Sequence, residues 1–66
     1  MREVERYVGT VVRVCSSSRH VVIAWEGDGD KHPYTLITRN EHNGAEGPIK
    51  LKDFKAALRD GVLEVL

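Results

Sequence analysis

Three aromatic side chains, Trp25, Tyr34 and Tyr7, are the residues of this chain best suited to holding a ligand. Trp25 closes one apolar run and Tyr34 opens the next, so the two can be cross-strand neighbours on one face. Aromatic faces placed in this way receive a proline-rich peptide, a cation or a stacked base. The competing reading is packing, because a chain of 66 residues needs every large side chain for its core.

The second candidate set is basic: Arg13, Arg19, Arg39, Lys50, Lys52 and Lys55. Brought together on one surface, these side chains could follow a phosphate backbone, with Trp25 or Tyr34 stacking on bases. The balance of charge weighs against it. Ten Lys and Arg are matched by ten Asp and Glu, whereas dedicated nucleic-acid binders usually carry a basic surplus. Glu26, Asp28 and Asp30 also put three negative charges close by. Nucleic-acid binding is therefore the alternative, and a protein or peptide partner is the leading expectation.

No catalytic or metal constellation assembles. The chain has no Gly-x-Ser-x-Gly, no phosphate-cradling glycine loop and no His-Glu-x-x-His. Ser16-Ser17-Ser18 beside His20 lies within one tight turn, which does not supply the separate base and oxyanion donors of acyl transfer. Cys15, His20, His32 and His42 lack the paired short spacing of a structural zinc site, and each His reads as an exposed residue beside a turn. The acidic turn lacks the ligand sequence of an EF-hand. A non-catalytic protein with no cofactor and no metal is expected.

The elements that must position these residues are strands. Residues 8–15 and 19–26 are two β-branched runs flanking the serine turn. Gly27-Asp28-Gly29-Asp30 reads as a hairpin turn, and a third strand follows Pro33. Residues 39–48 carry turn signals and no periodicity, so they read as a flexible loop, with a short strand expected over residues 49–51. Leu51, Phe54, Ala57 and Leu58 recur at helical spacing, which predicts a helix over residues 52–60 ended by Gly61. Residues 62–66 form a last strand pairing with the first. Residues 1–7 read as an extended arm that docks Val4 or Tyr7. The fold class is mainly β with one short α-helix: a single domain built on a strongly bent antiparallel sheet. Its expected core is Val12, Val14, Val21, Ile23, Trp25, Leu36, Phe54, Leu58, Val62 and Val65.

The segments GTVVRV and VVIAWEGDGD, followed by Tyr34 and Leu36, resemble the strand pattern of SH3-like barrels, particularly Tudor-like ones, over residues 8–38. The resemblance implies a small barrel that works as a binding module, with the aromatic residues near its ligand. The PIKLKDFKAAL segment also looks like the short accessory proteins of phages and mobile elements.

Cys15 is the only cysteine, so no internal disulfide forms, and its apolar flanks predict a small buried residue suited to a reducing compartment. No apolar run reaches the ~18–20 residues that span a bilayer, and MREVERY is not a signal peptide. These features lead to the expectation of a cytoplasmic protein without membrane association. An incompletely closed sheet would leave edges open to self-association.

Overall fold

The computed structural model describes residues 2–15 and 17–66; Ser16, in the expected serine turn, lies outside the described residues. Five antiparallel strands, β1 (Val11–Val14), β2 (Ser18–Glu26), β3 (Thr35–Asn40), β4 (Glu46–Lys50) and β5 (Leu63–Val65), form one sheet in the order β4-β3-β2-β1-β5. Helix α1 (Leu51–Asp60) connects β4 to β5, and a 3₁₀ helix (Glu3–Tyr7) precedes β1. The chain is thus mainly β with one helix before its last strand, as the sequence predicts. The sheet does not close into a barrel. Strands β4 and β5 are its two free edges, and α1 covers the inner face that a curling sheet would otherwise cover itself.

Strand pairing places Val12 opposite His20, Val22 opposite Thr38, and Trp25 opposite Leu36, which in turn faces Ile49. Directly opposed residues share a face, so these line the inner side. A bulge at Ile23 lets Val22 and Trp25 lie on the same face although they are three positions apart. This corrects the expected core. Val22 is fully buried, while Val21 and Ile23, expected beside Trp25, are only half-buried, and pairing puts Val21 on the outer face with Val11 and Arg39. Val65, and Val62 just before β5, are also exposed, at 60% and 45%, because β5 is an edge strand with no further strand beside it. The buried cluster is Val4, Val12, Val22, Leu36, Leu51, Phe54 and Leu63, with Val14, Trp25 and Leu58 packed partly against it.

The N-terminal segment docks as expected, since Val4 is fully buried and Tyr7 meets Phe54 edge-on at 5.3 Å between ring centres. It is helical rather than extended, and Gly9, at φ +91°, turns the chain out of the 3₁₀ helix into β1. Residues 39–48 are not one loop. Strand β3 runs to Asn40, β4 begins at Glu46, and only a five-residue turn lies between them. In that turn the Asn40 side-chain carbonyl accepts from the His42 and Asn43 N–H groups, and that of Asn43 accepts from Ala45 N–H. Asparagine side chains thus supply the bonding that hides a hairpin inside a polar, glycine-rich stretch. Cys15 is exposed rather than buried, at φ +50° in the turn after β1.

Helix α1 follows β4 without a linker. Leu51 N–H donates to the Tyr34 carbonyl at 2.8 Å as the last rung of the β3–β4 ladder, and Leu51 is also the first helical residue. At the other end Gly61, at φ +82°, and the Val62 N–H bond to Ala57 C=O (3.0 Å) close the helix in a Schellman-type turn. Phe54, fully buried on the inward side of α1, is the largest side chain of the core. Phe54→Ala is expected to cost about 3–5 kcal/mol, a large share of the stability of so small a domain. Chemical denaturation checks this, and an unfolding midpoint equal to the parent's would show that α1 is not docked through Phe54.

Candidate functional site

The inner face is not completely covered. Beside α1 the structure leaves an apolar trough of about 270 Å³ lined by Val12, Val14, His20, Thr38, Ile49, Phe54, Ala57, Val62 and Leu63. Sheet residues form its floor, Phe54 and Ala57 of the helix form one wall, and Val62 and Leu63 close the β5 end. Its polar groups are few. His20 Nε2 lies 3.1 Å from Ser18 Oγ, and Thr38 Oγ1 is 3.5 Å from the Gly47 carbonyl. His20 is part-buried here and not the exposed turn residue expected from sequence. Val22, two residues on, is buried on the same face, but the apolar run from Val21 to Trp25 carried no sequence signal for that direction.

The expected aromatic site divides in two. Trp25 and Tyr34 do meet edge-to-face, 5.9 Å between centres, and both pack against the core. The Arg2 guanidinium lies 5.6 Å from the Trp25 ring centre, a cation–π distance. Tyr34 rests against Gly29, where an added Cβ would come within 2.6 Å of its ring, and it borders a depression of about 260 Å³ with Lys50 and Lys52. Tyr7 is not part of this pair, because its ring is used against Phe54.

The basic set is dispersed as well. Arg13, Arg19 and Arg39 share the outer face, where each meets a carboxylate: Glu64 at 3.1 Å, Glu41 at 3.4 Å and Glu46 at 3.3 Å. Lys55 on α1 pairs with Glu3 at 3.0 Å, tying the 3₁₀ helix to α1, and the hydrogen bond to Glu3 raises the pKa of the ammonium. Of the six, Lys50 and Lys52 have no carboxylate at ion-pair distance among the described residues. The six side chains do not make one phosphate track. Among the described residues no three His, Cys, Asp or Glu side chains converge to hold a metal ion. No helix is long and apolar enough to cross a membrane.

The acidic turn has a structural role. The connection from β2 to β3 spans residues 27–34, longer than the four-residue hairpin expected, and Asp28 organises it. Its Oδ1 accepts from the Asp30 and His32 N–H groups at 2.9 and 3.0 Å, which holds its pKa below the ordinary 3.8. Gly27, at φ +105°, has no room for a side chain against the Pro33 carbonyl. Because the folded pKa is depressed, the contribution of Asp28 is present at neutral pH and is lost as pH falls through the lowered value. Asp28→Asn keeps the acceptor but cannot ionise. Acid titration of thermal stability below about pH 4 should therefore be steeper for the parent than for this variant, and parallel curves would remove Asp28 from that role.

Comparison with protein-family models, with curated proteins and with solved structures finds no match to this chain.

Proposed function

We propose that the chain is a non-catalytic protein-binding module whose inner-face trough takes one large apolar side chain of a partner polypeptide. The observation that carries this reading is the trough itself: an apolar opening beside α1 in a domain too small to leave apolar surface without consequence. Size argues for the class of occupant. Sites for drug-sized molecules run to about 300–1,000 Å³, and an open trough of about 270 Å³ lies below that range while matching a single Leu, Phe or Trp anchor. The rim suits a polypeptide too, because the His20 ring and the Thr38 hydroxyl can meet main-chain polar groups beside the anchor. The pairing of Arg13, Arg19, Arg39 and Lys55 with carboxylates disfavours the nucleic-acid alternative.

Selection from a displayed random-peptide library tests the reading. Selected peptides should share one large apolar residue, and titration with such a peptide should shift the amide resonances of Val14, His20, Thr38 and Ala57. Ala57→Leu, which extends a side chain into the trough, should weaken binding about tenfold, whereas Arg39→Ala on the outer face should leave it unchanged. A library that yields no binder, or binders that shift only outer-face amides, would overturn the proposal.

A further inference from the structure

The two sheet edges are not equivalent. Along β4, Asn40 N–H donates to Ala45 C=O and Leu51 N–H donates to Tyr34 C=O, both at 2.8 Å. Inward and outward groups alternate along a strand, so residues 46, 48 and 50 face away from β3. The middle one is Pro48, which has no N–H to offer. Strand β5 has no such block. Leu66 N–H donates to Val11 C=O (2.9 Å) and Cys15 N–H donates to Val62 C=O (3.0 Å), which turns the N–H and C=O of Leu63 and Val65 outward. This edge also carries Val62, Val65 and Leu66, three of the four large apolar side chains that stand exposed among the described residues.

We infer that β5 pairs antiparallel with β5 of a second copy of this chain, across a two-fold axis at Glu64. This inference is independent of the trough reading. Its basis is self-complementarity, which an isologous contact requires. The outward-facing groups belong to Leu63 and Val65, so those residues must form the hydrogen-bonded rungs. With the axis at Glu64, Leu63 faces Val65 of the second copy and Val62 faces its Leu66, so all three exposed aliphatic residues meet an aliphatic partner. Shifting the axis to residue 63 or 65 breaks this match and sets Glu64 opposite an aliphatic residue. The favoured register brings two Glu64 carboxylates together, and Arg13 answers that. It commits one nitrogen, Nη2, to Glu64 at 3.1 Å and retains further donors, so the centre becomes a row of two carboxylates between two guanidiniums.

Sedimentation equilibrium over a range of concentrations reads the result directly. The parent should show a monomer–dimer equilibrium. Val65→Pro gives β5 the same missing donor that Pro48 gives β4, and Val65→Lys places a charge at the aliphatic contact; each should weaken the dimer at least tenfold. Val65 is exposed and its N–H faces away from β1, so circular dichroism of both variants should match the parent's. In a Cys15→Ser background, Glu64→Cys should oxidise to a disulfide-linked dimer and Val62→Cys should not, because only residue 64 faces itself. A parent that stays monomeric, a dimer indifferent to both Val65 variants, or cross-linking at 62 and not at 64 would each overturn the inference.

Discussion

Burial of Phe54 against the inner face of the sheet is the interaction on which the other features depend. One helix of ten residues replaces the second sheet layer that a barrel or sandwich would supply, and Leu51 and Phe54 are its fully inward side chains. Around that wedge the buried residues come from distant parts of the chain: Val4 from the N-terminal turn, Val12, Val22 and Leu36 from three strands, and Leu63 from the edge. Each element can bury only a few side chains. The core therefore forms as a unit, with no portion large enough to stand alone. The same helix explains the opening beside it, because a narrow cylinder laid on a five-stranded sheet covers the middle of the face and leaves its flank uncovered.

Much of this architecture was legible in the residues. The apolar runs of β1 and β2, the helical spacing of Leu51, Phe54 and Leu58, and Gly61 at the helix end each place an element close to its observed position. The inward side of β2 was not legible. Val21, Val22, Ile23, Ala24 and Trp25 are all apolar, so alternation cannot distinguish the faces, and the bulge at Ile23 exchanges them partway along. The first part of strand β4, residues 46–48, was hidden for a different reason. Glycine and proline are signals of a turn in the interior of a sheet, but an edge strand tolerates Pro48 when its nitrogen faces outward.

The candidate surfaces show the same division between what spacing reveals and what only three-dimensional placement does. Trp25 and Tyr34 could be read as neighbours because a turn joins their strands, and they do meet. Tyr7 could not be assigned, because the course of the N-terminal segment depends on Val4 being drawn under the helix. The trough draws on residues from all five strands, the helix and the turn after it, with Ile49 and Val62 separated by all of α1. No local pattern marks such a set. The basic residues are spread in sequence in a way that suggests a track, but alternation and the carboxylate partners Glu41, Glu46 and Glu64 resolve them into separate ion pairs.

Pro48 also bears on how far any sheet built from this chain can grow. A flat edge with regular donors and acceptors can template the next strand indefinitely, which is the route from a folded domain to a fibre. Here the β4 boundary lacks a donor at its midpoint, so a strand added there would form one main-chain hydrogen bond fewer. A single imino acid at an exposed position thus disfavours growth from this edge, and it does so without disturbing the interior packing.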